Sequence, residues 1–259
     1  MTTAIPPEDP RPEMLDGHLY DYPAYYDLVF GSDCAAELSF LEACFERFTD
    51  RVVSRVFEPA CGTGRLLYRL ARRGYSVSGN DLNPSAIEYC NARFQRAGLP
   101  PPAIVGDMAD FRLKRKVDAA FNTINSFRHL DTEAAAGRHL CCVGDSLARG
   151  GIYLLGLHLT PTHGLRDMGE TWTARRGHLG IVSDLQSLAI DLRRRVESFR
   201  MTFDIYTPTR HRRIAGIIKY RTYTLAQIQR TASAFAIPEQ AGVLHVRRPR
   251  VRPLCPEVW

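Results

Sequence analysis

Residues 56–64 read VFEPACGTG, and the chain continues through YRLARRGYSVSGNDLNPSAIEYCNARF at 68–94. A short apolar segment enters an acidic, glycine-rich turn. A helical pattern follows, then a second apolar segment that ends at Asp81. This strand–turn–helix–strand layout holds a nucleoside-bearing group against the ends of two adjacent parallel strands.

The turn is a poor cradle for phosphate. Gly64 is followed by Arg65, Leu66 and Leu67, so there is no GxxxxGK run, and Gly62 and Gly64 lead into leucines rather than completing GxGxxG. Glu58 has no nearby lysine and repels a pyrophosphate, whereas it tolerates a cationic amino acid group. Gly62 and Gly64 permit a positive φ or a close backbone approach. Asp81, 17 residues after Gly64, is placed to accept both hydroxyl hydrogens of a ribose. A nucleoside carrying an amino acid in place of phosphates fits this pattern.

The stretch Glu58-Pro59-Ala60-Cys61-Gly62-Thr63-Gly64 resembles the first motif of class I S-adenosylmethionine-dependent methyltransferases. Asp81 matches that family's ribose-binding acid, with Leu82 beside it. Gly106-Asp107-Met108 falls where the family places its adenine-flanking loop. The resemblance implies S-adenosyl-L-methionine as cofactor. It also implies that Asp107 accepts the adenine amino group and that Met108 packs on the ring. It covers about Tyr22 to Gly156 and only loosely the remainder. Cys61 sits in the cofactor turn and is not expected to be a nucleophile. No zinc-type spacing occurs among the seven cysteines, which suit a reducing cytoplasm.

Outward from this centre, strand and helix patterns alternate: a helix over Ala35–Phe48, strands at 55–58, 75–81, 103–105 and 117–123, and helices at 65–73, 85–97 and 133–148. Arg149-Gly150-Gly151 reads as a turn into a fifth strand over 152–158. The expected fold is α/β, a doubly wound Rossmann-like sheet, mostly parallel with an antiparallel C-terminal strand. Residues 1–14 read as a tail that orders near Leu15, and 15–259 as one domain. Within it, 159–220 forms a substrate-side insertion or an extension of the sheet. No apolar run approaches the roughly 20 residues of a membrane span, and the N-terminus lacks the pattern of a secretory signal. Monomer and homodimer both remain open.

The acceptor side is less sharply written. Tyr20, Tyr22, Tyr25 and Tyr26 crowd a segment ending YYD at Asp27. The family resemblance lays this segment over the cofactor, with Tyr26 and then Tyr22 as contacts; anchoring of an N-terminal helix is the structural alternative. Asn122 is a candidate for the methionine portion of the cofactor. Residues 125–130, NSFRHL, resemble a stretch of glycine N-methyltransferases, which implies that Asn125 lies beside the transferred methyl; a cap is the other reading. His129 and His158 are candidate bases or hydrogen-bond partners for the acceptor. Glycine itself is not expected, because that family's arginine after the fifth strand is replaced here by Leu157-His158-Leu159-Thr160-Pro161. The tetrad of DNA aminomethylases is absent as well. Further candidates for acceptor contact are Trp172, Tyr220 and Arg221, with Met168 nearby.

The formal charge of +6 raises nucleic acid as a partner. The basic clusters Arg112–Lys116, Arg193–Arg195, Arg210–Arg213 and Arg247–Arg252 are separated and carry no RNA-binding signature. The expected activity is therefore methyl transfer to N or O of a small molecule. A tRNA or rRNA methyltransferase, and a cofactor-binding protein without turnover, are the alternatives.

Overall fold

The computed structural model describes residues 12–31, 33–160, 169–234 and, as backbone, 243–245. In chain order the elements are β1 (Glu13–Met14), α1 (Pro23–Phe30), α2 (Ala35–Phe48), β2 (Arg55–Pro59), α3 (Arg65–Ala71), β3 (Ser76–Asp81), α4 (Pro84–Arg96), β4 (Ala103–Val105) and β5 (Val117–Asn122). They continue with α5 (Glu133–Ser146), β6 (Leu147–Leu155), β7 (Gly169–Arg176), β8 (Leu179–Asp191), β9 (Val196–Tyr206), β10 (His211–Arg221), α6 (Leu225–Ala234) and β11 (Val243–His245). Short 3-10 turns occupy Leu19–Asp21 and Ser126–His129.

Six strands form a parallel sheet in the order β11-β6-β5-β2-β3-β4. Its strands are apolar on both faces, as a sheet covered on both sides requires. Val56, Ala119, Phe121, Ile152 and Leu154 face a layer of α2, α3 and α4 built on Leu41, Phe45, Leu67, Leu70, Ile87 and Phe94. The alternate residues Phe57, Ala120, Tyr153 and Leu155 face α5 and α6 through Leu140, Val143 and Ile228. This is the Rossmann-like methyltransferase architecture. The chain leaves β2 toward β3 and β4 on one side and returns through β5 to β6 on the other. The order therefore reverses between β2 and β5, and the crevice at their carboxyl ends is where such sheets bind ligands.

Local signals set the element ends. Asn83 accepts from the Ser85 and Ala86 amides with Pro84 at the first helical position, so α4 starts where proline is tolerated. Thr224 Oγ1 accepts from the Gln227 amide while Gln227 Oε1 accepts from the Thr224 amide, a reciprocal cap for α6. The expected turn at Arg149–Gly151 is absorbed into β6. Pairing jumps from Val117–Leu147 to Ala119–Ile152, and Gly150 takes φ +75° to carry the extra residues.

Strands β7 to β10 do not extend the parallel sheet, whose C-terminal edge is β11. With β1 they make a second sheet, β1-β10-β9-β8-β7, antiparallel except for β1 alongside β10. Arg193 and Arg195 fall in the turn before β9. Arg195 there has φ +59°, and its guanidinium is committed to Glu133 and the Thr222 carbonyl. The inner face of the second sheet carries Ile181, Met201, Phe203, Ile205, Ile214 and Ile218, which pack on Leu19 and Leu28. α1 and the Leu19–Asp21 turn thus lie between the second sheet and α4 of the core. Order begins before the expected Leu15, because Glu13 and Met14 pair with Arg212 and Arg213. Residues 1–11, 161–168 with Met168, and 247–259 lie outside the described residues. No helix among the described residues is long and apolar enough to cross a membrane.

Candidate functional site

The turn after β2 is built on three left-handed residues: Ala60 (φ +54°), Gly62 (φ +52°) and Gly64 (φ +63°). The two glycines serve different ends. A methyl group on Gly62 would meet nothing within 4 Å, so this residue presents open backbone to the crevice. A methyl on Gly64 would overlap the Cys90 Sγ well inside van der Waals contact. Gly64 therefore lets α3 pack against α4, whereas the sequence assigns both glycines to the cofactor.

Asp81 closes the other side of the turn. Its Oδ2 accepts from the Gly62 amide at 2.8 Å and its Oδ1 from the Asn83 amide at 2.9 Å. These bonds orient the carboxylate and leave further lone pairs for ligand hydroxyls. Burial raises its pKa, opposed by those two amides. Glu58 is buried at the end of β2, its Oε2 has no partner, and burial pushes its pKa well above the ordinary range. Arg65, the nearest candidate to neutralise it, is instead locked to Glu37 by two bonds of 2.5 and 2.8 Å. Asn122, at the switch point, donates to the Pro59 carbonyl at 3.0 Å and leaves its buried Oδ1 unpartnered. A buried orphan acceptor beside an open backbone turn is the signature of a site completed by a donor from a ligand. An ammonium group fits these residues; a pyrophosphate does not.

The adenine side is a correction in part. Asp107 is exposed at the rim, with Oδ1 accepting from the Ala109 amide. Met108, expected to pack on the ring, turns inward: it is 7% exposed and sits in the core with Phe57 and Ala109. Its carbonyl accepts from His139 at 2.8 Å. Leu82 is the exposed apolar residue at this edge, at 66%.

The YYD segment is held against the turn after β2 by a residue the sequence reading passed over. Asp27 is buried and accepts from Thr63 Oγ1 (3.0 Å), Tyr89 OH (3.2 Å) and the Arg93 guanidinium. It thereby pins α1 onto the cofactor turn. Arg93 follows Tyr89 by one helical turn, a spacing that was visible in the sequence. Tyr22 donates its hydroxyl to the Asp16 carbonyl at 2.5 Å and stacks on Tyr25, so it anchors the segment. Tyr26 lies edge-on to Tyr20 at 5.6 Å.

Tyr20 is the second residue missed. Its carbonyl accepts from Asn83 Nδ2 at 2.8 Å, next to Asp81, while its hydroxyl meets His129 Nε2 at 3.1 Å. It spans from the end of β3 to the turn after β5. His129 in turn lies 4.9 Å from the Tyr220 ring, over which Arg128 also sits. Desolvation, with the charges of His18 and Arg128, lowers the His129 pKa to about 4. Its side chain still opens to solvent on one edge. His18, beside Tyr20, packs over Gly216, where any side chain would crowd its ring. The result is an aromatic and imidazole wall across the crevice mouth.

The remaining candidates divide. Asn125, at φ +56°, accepts from the His158 amide at 2.7 Å through its Oδ1, tying the ends of β5 and β6 together. His158 is exposed just beyond β6. Trp172 packs edge-on to Phe30 at 5.3 Å on the inner face of the second sheet. Arg221 donates from its guanidinium to the Asp131 carbonyl (2.7 Å) and to Glu133 (2.9 Å), so it fastens β10 to α5, while its buried Nε has no partner.

A methyltransferase domain model matches residues 56–151. A dTDP-3-amino-3,4,6-trideoxy-alpha-D-glucopyranose N,N-dimethyltransferase of Streptomyces venezuelae is 30% identical over 138 residues, 52% of this chain and 56% of that protein. The chain spans about half the length of the curated relatives it matches. Among solved structures, DesVI of Streptomyces venezuelae superposes with a TM-score of 0.72 at 22% identity, covering 85% of this chain and 90% of that one. A sugar N-methyltransferase from Streptoalloteichus gives 0.69 at 19% identity, covering 85% of each. An amino pentose methyltransferase from Micromonospora echinaspora, bound to S-adenosylmethionine, gives 0.68 at 19%, covering 85% and 90%. The chain thus carries a methyltransferase-domain match over residues 56–151 and shares the fold of these solved structures.

Proposed function

We propose that this protein methylates a nitrogen of a small amine, an amino sugar or an amine of similar size, with S-adenosylmethionine as donor. The observation that carries this reading is the wall of Tyr20, His129 and Tyr220, which hangs by the Tyr20–Asn83 bond directly beside Asp81. It narrows the mouth of the cofactor crevice to small acceptors. The sequence relative that is an amino-sugar N,N-dimethyltransferase supports nitrogen over oxygen. Two of the four basic clusters are engaged in ion pairs: Arg195 with Glu133, and Arg212 and Arg213 with Glu13 and Asp204. That argues against a polynucleotide surface there.

S-adenosylmethionine supplies a methyl already activated on a sulfonium, so the protein mainly has to align the reactants and exclude water. Gly62 offers close backbone approach, Asp81 accepts ribose hydroxyls, Asp107 and Leu82 border the adenine, and Asn122 Oδ1 accepts an N–H. Glu58 supplies negative potential, and a bound cation favours its ionised form. Tyr26 and Tyr22 hold the cover in place. An amine attacks in its neutral form. With its pKa lowered to about 4, His129 stays neutral at pH 7 with its Nε2 against Tyr20 and serves as a polar wall group, while the proton released on methylation passes to solvent.

Incubation with S-adenosylmethionine and paired amino and hydroxyl sugars, free and nucleotide-linked, read by mass spectrometry, tests the reading. Methyl gain by the amino compounds alone is expected. Methylation of the hydroxyl partners, or of RNA in place of either, overturns it. Tyr220→Ala should impair acceptor use more than cofactor binding; equal loss of both moves the acceptor elsewhere.

A further inference from the structure

Tyr68 and Arg72 of α3, Tyr89, Arg93 and Arg96 of α4, and Arg176 of β7 line a cleft of about 480 Å³. None of the cofactor-crevice residues Gly62, Asp81, Asn122 or His129 borders it. Its one carboxylate, Asp27, is already matched by Arg93, Thr63 and Tyr89. Arg72, Arg96 and Arg176 have no side-chain hydrogen bond or ion pair among the described residues, and Arg72 and Arg96 come from the ends of two helices while Arg176 ends a strand of the other sheet. Holding three uncompensated cations around one concavity raises their mutual repulsion, which a bound anion offsets. Guanidinium forks match phosphate oxygens in pairs. Arg93, neutralised by Asp27, adds no net charge and stands in the cleft wall 5.8 and 5.2 Å from the Tyr68 and Tyr89 ring centres. The volume suits a small molecule rather than a polymer backbone.

We propose that this cleft is an anion site for a small phosphorylated ligand, bound through a diphosphate or larger phosphate group by Arg72, Arg96 and Arg176. The probes are inorganic pyrophosphate and a nucleoside diphosphate, titrated by calorimetry into the full chain at low and at physiological salt. Wild type and Arg96→Gln/Arg176→Gln are compared with a control, Lys114→Gln/Arg115→Gln, in another basic cluster. All four side chains are exposed, so each variant folds. One saturable site is expected in wild type and in the control, with affinity about tenfold weaker in the cleft variant and cofactor affinity unchanged. Tighter binding of the nucleotide would assign the tyrosine side of the cleft to a base, and equal binding would assign the site to the diphosphate alone; both support the site. Absence of saturable binding overturns the proposal, as does equal weakening in cleft variant and control, or cleft-variant binding equal to wild type.

Discussion

Gly62→Ala and Gly64→Ala, two residues apart, should fail in opposite ways. Each alanine inherits a left-handed backbone, with φ of +52° and +63°, which costs about 1–2 kcal/mol. For Gly62 the ledger ends there, because its new methyl meets no protein atom within 4 Å. At Gly64 the methyl overlaps the Cys90 Sγ, and Cys90 is itself fully buried, so overpacking adds about 1–3 kcal/mol. The expected losses are therefore about 1–2 kcal/mol against about 2–5 kcal/mol in urea unfolding. Calorimetry with S-adenosylmethionine should give the reverse order: Gly62→Ala intrudes on the crevice and weakens binding at least about tenfold, the equivalent of about 1.4 kcal/mol. Cys90→Ala in the Gly64→Ala background should recover part of the stability, because it removes the overlapping sulfur, and should do nothing for Gly62→Ala. Equal destabilisation by the two glycine variants, or full cofactor affinity in Gly62→Ala, would refute the division of labour within the turn.

Asp27→Asn should destabilise by about 2–3 kcal/mol, since it leaves the Arg93 cation without its countercharge; thermal unfolding measures this, and an unchanged Tm removes the clamp from α1. Asp81→Ala should cost about 1.5–3 kcal/mol of cofactor affinity from lost charge-assisted bonds, and calorimetry that finds no change would move the ribose away from β3. His139 is buried between the Met108 carbonyl and the Tyr153 hydroxyl, and burial lowers its pKa from 6.5 to about 4. Between these values the unfolded chain binds a proton that the folded one does not, so its contribution is complete above about pH 6.5 and falls as pH drops toward 4. The loss is about 3 kcal/mol. Urea midpoints from pH 7 to 5 should fall more steeply for wild type than for His139→Gln, and parallel curves would contradict the assignment.

The parallel core was legible because its signals are local. Periodicity, a capping asparagine with a following proline, and an acidic glycine turn each lie within a few residues of the feature they specify. Hence α2 and β4 appear with the bounds read from the sequence, and Asp81 ends β3 where the pattern placed it. What was illegible depends on residues far apart in the chain. Arg221 reads as a free cation until Glu133, 88 residues away, is seen to hold it. The second sheet could not be told from an extension of the first, because alternation specifies a strand and its faces but not its partner.

The same reasoning explains why the Tyr20–His129–Tyr220 wall, the acceptor side of the proposed function, was not legible in the sequence. Tyrosines at 20, 22, 25 and 26 differ little as sequence, and a motif alignment selects Tyr26. In the fold their hydroxyls have different fates. That of Tyr22 is closed on the Asp16 carbonyl, and that of Tyr20 reaches 109 residues along the chain to His129. The discriminating contact is made only when β10, packing over the Leu19–Asp21 turn, brings Tyr220 against His129. In the proposed function the cofactor is held by strand ends that one sheet sets in register, whereas the acceptor meets the place where two sheets and an N-terminal turn come together, and no single stretch of sequence encodes that meeting.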